Sequence, residues 1–411
     1  MKQEQLSNLP IEWKRGGGLC KSDLDEDGKN KCILYGELYT KHKKVLIENC
    51  NISRTNKIGA VCSKKGDILI PGTSTASKKD MLLAREIDED GVFLGGDINI
   101  IRPSKGLFAK KFLPYYFETF TAYDQLDRYI TGATGIIHIS NSGIKNLKVP
   151  LPSIQEQQSI VSILDECFAA IAKAKANAEQ NLKNAKELFE SYLKTAFENK
   201  VHGERFEPLD SLCELIVDCE HKTAPTQETG YPSIRTPNIG KGELILENVN
   251  RVSYETYLQW TRRAVPKSGD LILAREAPAG NIAVIPENIE VCLGQRTVLL
   301  RPKKNRLVSK YLAYLILSKE VQEILLSHST GATVQHINMK DIRAFKIYDL
   351  SDLKEQIAVV QKLDSLRAET QKLEAIYQKK IDDLEELKKS ILQKAFAGEL
   401  KTEIKVFAEQ V

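Results

Sequence analysis

The 411-residue sequence predicts an α+β chain in which two pseudo-repeated β-rich domains are separated by a long antiparallel two-helix coiled coil. Three observations carry this. Thr-Gly-Ala-Thr occurs at 131–134 and again at 330–333, an offset of 199, and the register continues on both sides. A helix-forming stretch of roughly four heptads closes each half. The intervening segments are short β-branched runs cut by Gly, Pro and Asn turns.

The repeat is read from aligned segments. At the same offset of 199, LGGDINIIRP (94–103) falls on LGQRTVLLRP (293–302), matching Leu94, Gly95, Arg102 and Pro103 with Leu293, Gly294, Arg301 and Pro302. Past the TGAT the offset is 198, where His138, Ile139 and Ile144 match His336, Ile337 and Ile342. It then returns to 199: QEQQSIVSILD (155–165) lies over KEQIAVVQKLD (354–364), and LKTAF (193–197) over LQKAF (392–396). Upstream, KKGDILI (64–70) answers KSGDLIL (267–273), and LYGELYT (34–40) answers IRTPNIG (234–240) loosely. Each half is far longer than a solenoid repeat, so the reading is two similar domains.

Within the halves, GDILIPG (66–72), GVFLGGDINIIRP (91–103), GDLILARE (269–276), GNIAVIPENIEVCL (280–293) and RTVLLRP (296–302) read as strands with their turns. Segments 110–129 and 308–327 each read as one amphipathic helix, followed closely by the TGAT. Thr-Gly there reads as a helix end and turn, because Gly accepts the left-handed conformation. A backbone or hydroxyl contact to a phosphate is the alternative.

The first long helix is expected over 155–199, which contains no Gly or Pro. Ser153 is placed to cap it, with Glu156 three residues on as capping-box partner. Its apolar track is Leu164, Cys167, Ile171, Ala174, Ala178, Ala185, Leu188 and Tyr192, interrupted by Asn181. The second helix offers Leu363, Leu366, Leu373, Tyr377, Leu384, Leu387 and Ile391, with Thr370 and Lys380 as polar positions. Steps of three and four hold the period near 3.5, the pattern of a coiled coil. At about 1.5 Å per residue each helix is roughly 65 Å long. Equal length and shared phase make each the simplest partner for the other.

Composition excludes some classes and leaves others open. No run approaches the roughly 18 apolar residues of a membrane span, and the polar N-terminus does not read as a signal peptide. A cytoplasmic chain with no membrane partner is therefore expected. The eight cysteines show no zinc spacing; Cys219 and His221 are a lone pair, so reduced thiols and no metal are expected. Net charge is only +4, but basic residues cluster. Lys41, Lys43, Lys44, Arg54, Lys78 and Lys79 gather in the first half, and Lys222, Arg235, Arg262, Arg263, Arg275 and Arg296 in the second. Tyr35, Tyr39, Tyr231, Tyr254, Tyr257 and Trp260 lie among them. Basic patches with aromatic neighbours suit a polyanion such as double-stranded DNA, and equally suit a solvated surface.

Motifs for catalysis are missing. The sequence has no phosphate-binding GxxxxGK[ST], no Gly-x-Ser-x-Gly and no His-Glu-x-x-His. Nor does it hold a nuclease acidic pair with its lysine, an Asn-Pro-Pro-Tyr/Phe, or a glycine-rich loop for a methyl-donor cofactor. No catalytic residue and no cofactor are assigned, and the chain reads as a binding module.

The duplication, AREAPAGNIAVIPENIEVCLGQRTVLLRP (274–302), the TGAT turns and LPSIQEQQSIVSILDE (151–166) together resemble the specificity subunit of type I restriction–modification enzymes across nearly the whole chain. The resemblance implies a non-catalytic subunit for an asymmetric bipartite DNA target. Its implied partners are two methyltransferase (modification) subunits and two ATP-dependent translocase–endonuclease (restriction) subunits. Residues 1–149 then correspond to a first target-recognition domain and 150–203 to a central helical spacer. Residues 204–350 correspond to a second recognition domain and 351–411 to a distal spacer. One departure is local: Gly96 and Asp97 stand where the second half has Gln295 and Arg296. A standalone double-headed DNA-binding regulatory protein is the other reading, distinguished by tight binding without a methyltransferase partner.

Overall fold

The structure is a computed structural model and describes residues 2–58, 61–75, 77–132, 135–200, 202–327 and 336–400. The second TGAT and the Ala133–Thr134 half of the first lie outside the described residues. The fold is α+β: two β-rich domains and two long helices, Ile154–Phe197 and Leu353–Ala397. Contacts divide it into two compact units, Met1–Glu179 with Lys379–Val411, and Gln180–Gln378.

The duplication is visible in strand order. In the first unit a five-stranded sheet runs 11–15, 98–103, 67–71, 85–87, 46–47. In the second the order is 213–218, 297–302, 271–274, 282–284, 242–243. Pairing sense agrees strand by strand: the first four strands are antiparallel neighbours and the last pair is parallel in both. A smaller sheet also repeats, with a parallel pair of 30–33 and 93–94 answered by 231–234 and 292–293. The two central strands of each large sheet are nearly all apolar because both faces are covered; Ile68, Leu69, Ile70, Leu271, Ile272 and Leu273 are at most 2% exposed.

The helical segments following the sheets differ from the single helices expected. Residues 110–129 form Phe112–Phe117 and Phe120–Leu126, and 308–327 form Ser309–Leu317 and Lys319–Ser327. Both breaks fall at a hydroxyl residue, Thr119 and Ser318, again 199 apart. Each hydroxyl donates to a carbonyl three residues back, Tyr116 O and Leu315 O, at 2.7 Å. Thr119 also accepts from Ala122 N at 3.1 Å, capping the next helix. A local side-chain bond that competes with the helical ladder is why an amphipathic period alone overlooks the break.

Each domain is fastened to a long helix by the same contacts. Gln157, 1% exposed, accepts from Ala109 N (2.8 Å) and donates to Leu107 O (3.3 Å) and Pro152 O (3.1 Å). Gln356, 0% exposed, accepts from Val308 N (2.8 Å) and donates to Arg306 O (2.9 Å) and Ser351 O (2.8 Å). Tyr115 and Lys111 bond Asp165, and Tyr314 and Lys310 bond Asp364. Burial, reinforced by the Asp364 carboxylate, pushes the Tyr314 phenol up to about 12. The capping box is formed: Ser153 N donates to Glu156 Oε2 at 2.9 Å and Glu156 N to Ser153 Oγ at 3.3 Å.

In the first unit the helical segments run antiparallel. Lys175 pairs with Glu385 at 2.5 Å, while Val161 and Leu164 share a core with Leu392 and Phe396. Leu164, Ile171, Ala178 and Ala185 are buried along the first helix, as are Leu363 and Leu384 on the second; Tyr377, Leu387 and Ile391 are half-buried. Leu188 (51%) and Leu373 (37%) are instead exposed. Phe189, Leu193 and Thr370 turn inward in their place. Past Ala185 the first helix packs on the core of the second domain, where Phe189 lies 6.2 Å from the Tyr314 ring. A 3.6-residue helix drifts about 20° per heptad against a 3.5 track, so a seam drawn at strict heptads leaves the buried face within a few turns.

None of the eight cysteines is disulfide-bonded; Cys20 and Cys62 are exposed, and Cys32, Cys50, Cys213, Cys219 and Cys292 are buried. Burial raises the Cys32 and Cys292 thiols to about 11 and those of Cys50 and Cys213 to about 12. Only thiolate reacts with alkylating agents, so at pH 8 labelling is expected at Cys20 and Cys62 and absent at these four until urea unfolds the chain. Mass spectrometry of iodoacetamide-treated protein measures this; rapid native labelling of Cys213 would contradict the described packing.

Candidate nucleic-acid interface

In the second domain, charged side chains converge at one end of the five-stranded sheet, where Asp218 and Ala274 end their strands and Thr297 begins the one between them. Arg275, 7% exposed, donates to Asp218 Oδ2 (2.7 Å) and Ile337 O (2.9 Å), and its third contact is His336 Nε2 at 2.8 Å. His336 also meets Glu276 Oε1 at 3.0 Å, and Glu276 holds Arg296 at 2.7 Å. Arg262 and Arg263 flank Glu220 at 3.0 and 3.4 Å, and Arg263 donates to the carbonyls of Asp218 (3.3 Å) and Cys219 (3.1 Å). Lys222 and Arg235 are exposed, the first close by in the chain and the second just past strand 231–234 of the adjoining small sheet. Arg235 lies against Gly294, whose N–H donates to Ile234 O at 2.8 Å.

Four arginines therefore meet three carboxylates around one turn, Gly294–Gln295–Arg296. Of the candidates in this half, Arg262, Arg263 and Arg296 present partly exposed guanidinium groups, whereas Arg275 is spent inside the network. Arg275 holds the strand end in place for its neighbours. Such internal pairing fixes donors in space without consuming every N–H, since guanidinium carries five.

The first domain builds the same turn with other side chains. Gly95 N donates to Ile33 O at 2.8 Å, as Gly294 does to Ile234 O. Asp97 has φ 62° and Arg296 φ 65°, both left-handed, so the backbone of the turn is shared. Asp97 is paired with Arg15, the reverse of the Arg296–Glu276 polarity. A cleft of about 530 Å³ opens beside this turn, lined by Leu19, Lys21, Leu24, Leu34, Tyr35 and Lys41 among others. Lys41 is held at 2.7 Å by Glu37, itself 6% exposed and bonded to Ser53.

Lys41, Lys43 and Lys44 lie together along an adjoining groove, and Lys43 shares a further cleft with Lys79, Phe120 and Tyr123. Lys78 is paired with Asp127 at 2.8 Å, and Arg54 donates to Gly28 O (3.2 Å) and Asn51 (3.0 Å); neither is among the residues lining the cleft beside the turn. Sequence reasoning overlooked Arg15 and Lys21, and it met Gln295 and His336 only as aligned positions of the repeat. Arg15 and Gln295 carried no motif of their own; only sheet pairing brings strand 11–15 beside 98–103 and so Arg15 beside Asp97. Among the described residues no group of three His, Cys, Asp or Glu side chains is placed to hold a metal. No described helix is long and apolar enough to cross a membrane.

A family model described as the type I restriction modification DNA specificity domain matches residues 5–183 and again 207–386. The type I restriction enzyme EcoBI specificity subunit of Escherichia coli is 24% identical over 311 residues, covering 70% of this chain and 65% of that protein. The MjaVIII specificity subunit of Methanocaldococcus jannaschii is 27% identical over 303 residues, covering 70% of each. Two solved structures share the fold. One comes from work on complex assembly and conformational transition of the type I R-M system, with a TM-score of 0.74 and 19% identity over 97% of this chain and 98% of that one. The other is the HsdS subunit of Thermoanaerobacter tengcongensis, with a TM-score of 0.58 and 18% identity over 97% of each chain. Matched twice along its length, once per structural repeat, the chain belongs to the type I restriction–modification DNA specificity family.

Proposed function

We propose that the chain is the specificity subunit of a type I restriction–modification enzyme and reads an asymmetric bipartite DNA target, one half-site per β-rich domain. The observation that carries this reading is one backbone turn built twice, at 95–97 and 294–296, with different side chains at its tip. A shared frame gives both domains the same approach to DNA; different tips give different half-sites. Residues 1–149 and 204–350 act as the readers, and 150–203 with 351–411 as the helical spacers. Two methyltransferase subunits supply methylation, and two ATP-dependent translocase–endonuclease subunits supply restriction, in the cytoplasm and with no cofactor held by this chain.

Direct readout requires donors and acceptors in the major groove, while lysine and arginine on phosphates fix register. Arg262, Arg263 and Arg296 are the groups held by carboxylates and carbonyls in fixed positions, so they take the base-reading role. Exposed Lys43, Lys44, Lys79, Lys222 and Arg235 take the phosphate role. Lys222→Ala is therefore expected to weaken binding uniformly across sequences and to lower the salt slope by about one. Titration of the methyltransferase complex at several salt concentrations, on cognate DNA and on duplexes altered in either half-site, measures both. Loss confined to one base position, with the salt slope unchanged, would refute the phosphate role.

A further inference from the structure

The two copies of the turn differ most at one position. At Gly95 an added Cβ would lie 2.7 Å from Leu34 Cδ2, the far end of a side chain, and 3.2 Å from the carbonyl oxygens of Ile33 and Leu19, so a larger residue fits there only if its neighbours shift. At Gly96 an added Cβ would meet nothing nearer than Leu19 O at 3.9 Å, and Gly96 is not among the positive-φ glycines. Folding therefore places no requirement for glycine at position 96. Gly96 is part of the lining of the cleft beside the turn and contributes no side chain to it. In the second domain Gln295 occupies the matching position, and its amide donates across to His221 O at 3.4 Å, spanning from the turn to the loop after the first sheet strand.

The open cleft has the make-up of a nucleotide site. Its volume of about 530 Å³ falls in the range of roughly 300–1,000 Å³ typical of small-ligand pockets. Leu19, Leu24, Leu34 and Tyr35 give it apolar and aromatic walls; its charged lining is Lys21 and Lys41 with the carboxylates Glu37 and Asp97, which are paired to Lys41 and Arg15. A flat base gains from the apolar walls, and exposed Lys21 is the cation that meets its phosphate. We propose, resting on the reading of the first domain as a half-site reader, that this cleft receives one unstacked nucleotide of the first half-site. Gly96 is its specificity-determining residue. The second domain, bridged by Gln295, reads its half-site from the outside of the turn. Specificity in the two halves then differs in kind, by a received base in one and by presented side chains in the other.

The test uses the assembled methyltransferase complex and its mapped target, with 2-aminopurine substituted at successive positions of each half-site. Beyond the methylated base, which a methyltransferase itself extrudes, a fluorescence rise is expected with the natural chain at one further position of the first half-site. Gly96→Gln should abolish it and weaken cognate binding about tenfold, the scale of one stacked base. Discrimination in the second half-site should be unchanged. Gly17→Gln adds the same side chain at a glycine outside the cleft lining, where an added Cβ meets nothing within 4 Å, and it keeps both signal and affinity and controls for folding. Unchanged signal and affinity in Gly96→Gln would overturn the proposal while leaving the half-site reading intact. Loss of discrimination in both half-sites, with an unaltered unfolding transition, would overturn that underlying reading instead. A parallel titration with deoxynucleoside monophosphates separates the sources: Gly96-dependent binding of a free nucleotide with no change on duplex DNA would also overturn the assignment to DNA.

Discussion

Arg301→Leu is expected to lower stability by about 3–5 kcal/mol, and Arg102→Leu to cost a similar amount in the first domain. Arg301 grips Asp270 with two parallel bonds, at 2.8 and 2.7 Å, and Arg102 grips Asp67 with two at 2.6 Å. The carboxylates are 4% and 0% exposed and the guanidinium groups 16% and 13%. Removing the arginine leaves a buried anion with one backbone donor among these contacts, Lys267 N or Lys64 N at 2.8 Å. Replacing both partners, Asp270→Leu with Arg301→Leu, should recover most of the loss, because apolar groups impose no desolvation penalty. The effect reaches the proposed interface: Arg301 also donates to Val265 O at 2.9 Å, tethering the segment that carries Arg262 and Arg263. Urea unfolding of the single and double variants measures it. A loss below about 1 kcal/mol in the singles would mean that the pair is solvated as surface pairs are.

Gln356→Leu should destabilise the second domain's seat on its helix, and Gln157→Leu the first's. The leucine fills similar space but leaves Val308 N and the carbonyls of Arg306 and Ser351 without their partner. Each buried group so abandoned costs about 1–3 kcal/mol. Both glutamines sit in the first turn of their helices, so the loss acts where the chain passes from domain to helix. Hydrogen exchange is the direct readout: the amide of Val308 in one variant, or of Ala109 in the other, should exchange orders of magnitude faster while central-strand amides such as Leu299 stay protected. Unchanged protection of Val308 would show that Gln356 is not what satisfies it.

Much of this architecture was legible in the sequence because duplication is a long-range signal. An offset of 199 aligned Gln157 with Gln356 and Asp165 with Asp364 before any contact was known. The strands were legible because β-branched runs between glycines leave few alternatives. The seam of the helices was legible only in part, since the burial of Phe189 and Leu193 is decided by the domain they meet and not by their own period. The interface was least legible. Charge clusters singled out Arg263 and Lys43 alike, yet exposure and partners separate a guanidinium locked inside the fold, as in Arg275, from one presented at the surface, as in Arg296. Gly96 and Gln295 carry no charge at all; the repeat aligned them, and only the matched turn shows what lies beside each.

The central claim is that each domain reads its own half-site. It is tested most directly by replacing residues 206–345 with the corresponding segment of a relative that recognises a different sequence, and then sequencing methylated bases in cells that express the chimaera with its methyltransferase partner. One half-site is expected to change to that of the donor while the other half-site and the spacer length between them are retained. New bases appearing in both half-sites, or an unaltered target, would contradict it.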